Sequence, residues 1–146
     1  MRDQAQVVVI GGGVTGCSIA YHLAEHGLKD VVLVEKGELT SGTTFHSVGL
    51  VTQFRTSPAD MLLMNYSIRL YNAIKAEVGE ASGWRQVGSL RLASSPARLK
   101  ALQRSVSRAR ALGLHVAISS PGEALKIFPW MTDAGLYGAV HIPDDG

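Results

Sequence analysis

A chain of 146 residues, 46% hydrophobic and with a formal charge of only +2, has material for one ordinary core and hardly for two independent domains. It has no run of five or six like charges, and three Phe, four Tyr and two Trp are too few for a base-stacking platform, which excludes nucleic acid as a partner. A single cysteine, Cys17, rules out an internal disulfide framework, and no apolar run approaches the roughly 18 residues that a membrane-spanning helix needs.

The first six residues, MRDQAQ, lack the basic start and apolar core of a secretion signal. The expectation is a soluble cytoplasmic α/β protein, with the mitochondrial matrix as the alternative if the true N-terminus is longer. Val7-Val8-Val9-Ile10 is a continuous β-branched run, as expected of a parallel strand buried on both faces. GGGVTG ends it. From Val14 to His26 the apolar positions Val14, Cys17, Ala20, Leu23 and Ala24 recur at helical spacing, and Gly27 is a natural stop. Val31 to Val34 predicts a second buried strand, closed by Glu35. Strand, helix and strand make a Rossmann-like βαβ unit with a right-handed crossover.

A loop from Lys36 to Arg55 follows, longer than a mere connection needs, so it reads as functional. Ser57-Pro58-Ala59-Asp60 announces a helix whose stripe is Met61, Met64, Ile68, Tyr71, Ile74 and Val78, ended by Gly79. WRQVGSLRLA, residues 84–93, reads as a strand. Ser95-Pro96 opens a helix with Leu99, Leu102, Val106, Ala109 and Leu112 inward, ended by Gly113. A short strand at 115–118, a short helix at 121–128 and a strand at 136–142 complete the chain. The change of texture puts a module boundary near residue 83, with residues 1–83 as the nucleotide-binding start and 84–146 as an inserted α+β module.

Gly11-x-Gly13-x-x-Gly16 lies where dinucleotide binding requires it, after a buried strand and opening a helix. Gly11 permits the tight turn, Gly13 lets the backbone approach a pyrophosphate, and Gly16 allows close helix–strand packing. The first turn, with Val14 and Thr15, offers free N–H groups and a positive dipole end to phosphates. Glu35, nineteen residues past Gly16, ends the second strand where a carboxylate accepts from a ribose diol and repels a 2′-phosphate. These features alone leave FAD and NAD both open. His22 and His26 share a helix face at metal-ligand spacing, but no acidic or cysteine cluster joins them, so no metal is expected. Lys100, Arg104 and Arg108 form a basic stripe that reads as a solvated face.

Taken together, VVVIGGGVTGCSIAYHLAEHG, VVLVEKGELTSGTTFHSVGLV, QVGSLRLA and PDDG resemble the glycine-oxidase-like branch of the FAD-dependent amine oxidoreductases, the branch of dimethylglycine and sarcosine dehydrogenases. The resemblance runs over essentially the whole chain, and SGTTFHSVGL is its most specific part. It implies an FAD-binding domain beginning with the βαβ unit, and the start of a substrate domain at residue 84. In that family the histidine of this segment is joined covalently to the flavin 8α-methyl, which here would be His46. Phe45 stands where the family commonly has Trp, and Ser47 where it has Ala or Thr; both keep the general shape.

The resemblance further implies that Lys36, Ser41, Gly42, Thr43 and Thr44 lie beside the cofactor, and that Gly49 and Leu50 follow it toward the flavin. Eleven residues from Glu35 to His46 span up to roughly 36 Å when extended, ample for that path. A neutral imidazole is a competent nucleophile for such a link. Arg55 is a candidate for meeting a substrate carboxylate or the flavin's pyrimidine end. The implied activity is oxidation of an N-methylated glycine-type amine, with electron-transfer flavoprotein as a possible electron acceptor. The implied larger protein would leave these residues alone inactive. Two alternatives stand beside it: a non-catalytic dinucleotide-binding subunit or truncated product, and an NAD-linked dehydrogenase.

Overall fold

The computed structural model describes residues 4–146, and the reading of the first three residues as part of a signal-free start lies outside them. The chain divides into two compact units, one ending at Gly49 and one comprising Leu50–Gly146. No helix among the described residues is long and apolar enough to cross a membrane.

In the first unit, strand β1 (Val7–Ile10) pairs in parallel with β2 (Val31–Val34), from Val7 opposite Val31 to Ile10 opposite Val34. Helix α1 (Val14–Glu25) makes the crossover between them. Gly27, at φ +85°, takes the left-handed turn that L side chains resist. The strands differ from the expectation of burial on both faces. Val9 is 7% exposed, whereas Val8 and Ile10 are 54% and 86% exposed. Successive side chains of a strand point to opposite faces, and the single helix α1 covers only the Val9 face.

The second unit contains α2 (Pro58–Val78), a 3₁₀ turn (Gly79–Ser82), β3 (Ser89–Ala93), α3 (Pro96–Ala111), β4 (Ala117–Ser119), α4 (Pro121–Ile127) and β5 (Gly138–Ile142). The sheet order is β3-β5-β4, with both outer strands antiparallel to β5. Its core joins Met61 of α2, Ala93, Val140 and Ile142 of the sheet, and Leu102, Val106 and Ala109 of α3. All three helices of this unit begin with Ser-Pro. The serine hydroxyls of Ser57, Ser95 and Ser120 accept from the N–H groups of Asp60, Arg98 and Glu123, while the proline occupies a position where no N–H is needed. At α4 the Glu123 carboxylate also accepts from the Ser120 N–H at 2.7 Å, completing a reciprocal cap.

Two local expectations are corrected. The strand read from Trp84 begins only at Ser89. Gly83 and Gly88 take positive φ at 67° and 77°, and Trp84 folds inward between them instead of alternating. Its ring stacks on Tyr71 at 5.2 Å between centroids, and its Nε1 donates to Asn72 Oδ1 at 2.7 Å. Val78 leaves the apolar stripe of α2 and is half exposed, because the helix ends at that residue.

The terminal PDDG does more than turn the chain. Asp145 is fully buried, and its carboxylate accepts from the Gln53 N–H at 2.9 Å and the Ser89 hydroxyl at 2.6 Å. Val51 and Gly146 exchange backbone hydrogen bonds at 2.8 and 3.1 Å. The neighbouring Asp144 instead meets His115 Nδ1 at 2.9 Å. Replacing Asp145 by Ala strands the buried Gln53 N–H and the partly buried Ser89 hydroxyl, and a buried group left unpaired costs about 1–3 kcal/mol. Denaturant unfolding of the full-length protein is expected to show Asp145→Ala destabilised by at least that amount, and Ser89→Ala by less.

Candidate functional site: a glycine turn gripped by Glu35 and Thr44

The site begins where β1 ends. Gly11 turns the chain at φ +102°, and its N–H donates to the Val34 carbonyl of β2 at 2.8 Å. Gly13 then caps α1 in extended conformation with no side chain to offer the helix. Gly16, one turn in, is buried against the glycine turn: a Cβ there would run into the Gly11 carbonyl oxygen and lie 3.5 Å from Val9 Cγ1. Only hydrogen fits at that position. The first turn of α1 carries no acidic side chain, so its positive dipole end is not neutralised from within the helix.

What the helix lacks comes from beyond β2. Thr44 Oγ1 accepts from the Val14 N–H at 3.0 Å, supplying from thirty residues away the cap that Gly13 cannot. A side chain at Gly13 would sit 3.1 Å from that hydroxyl, so glycine is what lets the loop close over the helix end. Glu35 Oε2 accepts from the Gly12 N–H at 2.7 Å and Oε1 from the Gly37 N–H at 2.9 Å. These bonds, Gly12 first and then Gly37, hold the Glu35 carboxyl below its usual value against the smaller opposing effect of burial. The Gly12 carbonyl in turn accepts from the Thr40 N–H at 2.9 Å and from the Cys17 thiol at 3.5 Å.

Gly12 and Thr40 were not singled out from the sequence. Gly12 is the middle glycine of GGG, outside the spaced fingerprint, and Thr40 adopts φ +62°, which a threonine gives no sequence signal for. The loop itself departs from the extended path. Phe45 N–H donates to the Thr40 carbonyl, His46 N–H to Thr43 and Ser47 N–H to Thr44, so residues 40–47 coil as successive turns. Turns of this kind advance about 1.5–2 Å per residue in place of the 3.3 Å of extended chain, so the segment reaches far less than its contour length allows.

The result is a cleft of about 670 Å³ walled by β1, the glycine turn and the loop. It brings together Gly11, Gly13, Val14, Thr15, Gly16, Glu35, Lys36, Ser41, Gly42, Thr43 and Thr44. His46 and Gly49 do not line it, and Leu50 opens the second unit. His46 is exposed, with Nδ1 2.9 Å from the Gly42 carbonyl and its ring edge-on to Phe45. A carbonyl only accepts, so Nδ1 is the donor in this contact. The exposed helix-end N–H groups, close glycine backbone and carboxylate at the end of β2 together fit the adenosine diphosphate half of a dinucleotide.

Two outcomes follow from this geometry. Gly16→Ala is expected to cost about 1–3 kcal/mol through overpacking and to loosen cofactor retention, measured by denaturation and by dialysis of the full-length protein. Because the folded Glu35 carboxyl is depressed, its hydrogen bonds contribute above the usual carboxylate range and are lost as pH falls through the lowered value. Cofactor release should therefore rise on acidification in that window, and Glu35→Gln should flatten that dependence.

Known proteins share this architecture. Mouse pyruvate dehydrogenase phosphatase regulatory subunit, mitochondrial, is 38% identical over 97% of this chain and 16% of its own length. Human sarcosine dehydrogenase, mitochondrial, is 41% identical over 100% and 16%, and human dimethylglycine dehydrogenase, mitochondrial, 38% over 99% and 17%. The chain thus spans about one sixth of the length of these curated relatives. The solved structure of L-proline dehydrogenase from P. horikoshii superposes with a TM-score of 0.92 at 28% identity, covering 100% of this chain and 38% of that one. The FAD dependent oxidoreductase family matches residues 6–146, and the chain belongs to that family.

Proposed function

We propose that this chain is the cofactor-binding part of an FAD-dependent oxidoreductase that oxidises an N-methylated glycine-type amine, dimethylglycine or sarcosine. The observation that carries the reading is the 41% identity to sarcosine dehydrogenase over the whole chain, joined to a cleft whose donors suit a dinucleotide. In this reading residues 1–83 belong to the FAD-binding domain and 84–146 open the substrate domain. Membership of an FAD-dependent family weighs against the NAD-linked alternative.

The N–H groups at Gly13 and Thr15 would hold the pyrophosphate, with Val14 capped by Thr44 and the hydroxyls of Ser41, Thr43 and Thr44 beside it. Glu35 would accept from the ribose hydroxyls while still holding Gly12, since a carboxylate has room for about four donors. When bound, the flavin supplies a two-electron acceptor for a hydride from the substrate's N-methyl carbon. The iminium left on the substrate takes up water and separates into the demethylated amine, formaldehyde and a proton. Electron-transfer flavoprotein is the proposed onward acceptor.

His46 is proposed as the covalent anchor. Its Nδ1 is engaged with the Gly42 carbonyl, so Nε2 is the nitrogen left to bond to the flavin 8α-carbon. Acid denaturation of the full-length protein tests this: flavin absorbance is expected to stay with the peptide containing His46 and to be released from His46→Ala. Free flavin from the unsubstituted protein would refute the anchor.

A second reading is favoured by one observation, the 38% identity to a protein named as a regulatory subunit. Here the same cleft would serve a non-catalytic role. Turnover of a panel of N-methylated amino acids separates the two: formaldehyde release supports the enzyme, and its absence from FAD-loaded protein supports the subunit.

A further inference from the structure

Within the second unit, a cavity of about 240 Å³ is lined by Phe54, Arg55, Thr56, Arg91, Arg98 and Ser105, together with Leu102. Three arginines and no acidic residue line it. Arg91 is the unusual member. It sits on β3 between Ser89, bound to the buried Asp145, and Ala93, which is fully buried in the core. By the two-residue period of a strand it shares their face.

One Nη of Arg91 donates to Thr52 Oγ1 at 3.3 Å, while its Nε is enclosed and has no acceptor. The two Nη groups carry four N–H bonds, of which Thr52 takes one, so the others are left to offer an oxyanion. Arg55 and Arg98 are exposed, so each can swing toward an entering charge.

We propose that this cavity is a binding site for a small oxyanion of the phosphate class, held by the Nη groups of Arg91, with Arg55 and Arg98 closing on its remaining oxygens. Three cations without a counter-charge favour a dianion over a monocarboxylate. The volume, about a third of the nucleotide cleft, takes a phosphate group and not a dinucleotide. The inference does not depend on the amine-oxidase reading, because every residue in it belongs to the second unit.

Equilibrium dialysis of FAD-saturated full-length protein against radiolabelled inorganic phosphate, in low-ionic-strength chloride buffer, tests it. One saturable equivalent is expected, displaced by sulfate but not by equal acetate or dimethylglycine. Arg91→Met should weaken binding about tenfold or more, the scale of one charge-assisted hydrogen bond. Arg98→Gln, on the exposed helix surface, should weaken it severalfold without endangering the fold, and Glu35→Gln should leave it unchanged. A phosphorylated sugar that binds tighter than free phosphate would mark the anion as part of a larger ligand, within the same site. No saturable binding, binding indifferent to both arginine variants, or equal displacement by dimethylglycine would overturn the proposal; the last would make the cavity a site for the substrate's carboxylate.

Discussion

The cleft depends on the absence of a single side chain. Gly16 brings α1 so close to the glycine turn that its α-carbon lies over the Gly11 carbonyl, and that approach aims the first turn of the helix across the end of β1. From there the rest follows by distance. The Gly12 N–H comes within 2.7 Å of Glu35, and the end of the helix comes within reach of Thr44. A methyl group at residue 16 would push the helix outward and separate groups that belong to three different segments.

The arrangement also shows how an anion site is kept ready. A helix capped by its own serine or aspartate, as the three helices of the second unit are by serine, has its first N–H groups occupied permanently. Helix α1 begins at a bare glycine and borrows a neutral hydroxyl from a loop. A hydroxyl can rotate and donate to an arriving phosphate oxygen, whereas a carboxylate at that point would repel it. Glu35 keeps its negative charge on the far side of Gly12, bound to backbone, where it ties the loop to the turn.

In the second unit, buried polar groups tie distant segments together alongside the apolar core. Asp145 binds Gln53 across 92 residues and Ser89 across 56, so the terminal motif pins the segment entering α2 to the edge of the sheet. Buried hydrogen-bonded groups tolerate only one register, because each slipped arrangement leaves donors unpaired. Ser89, Arg91 and Ala93 share one face of β3 and serve there as a tie to Asp145, a cation and a piece of core.

Much of this architecture was legible in the residues. The run Val7–Ile10, the glycine spacing, Glu35 after the second strand and the serine caps at 57 and 95 are signals contained within a few neighbours, so local chemistry suffices to read them. The eleven fingerprint and loop residues that line the cleft were likewise marked by spacing and by family resemblance. Trp84–Gly88 misled, since partial alternation imitates a strand while two left-handed glycines and a stack on Tyr71 bend it elsewhere. The texture change after Gly83 marks a shift in composition, whereas packing groups α2 with the elements that follow it. The roles of Gly12, Thr40, Asp145 and Arg91 came only with the folded chain. Each is defined by a partner remote in sequence or by a backbone angle its residue type does not favour, and no local pattern encodes which remote group will arrive.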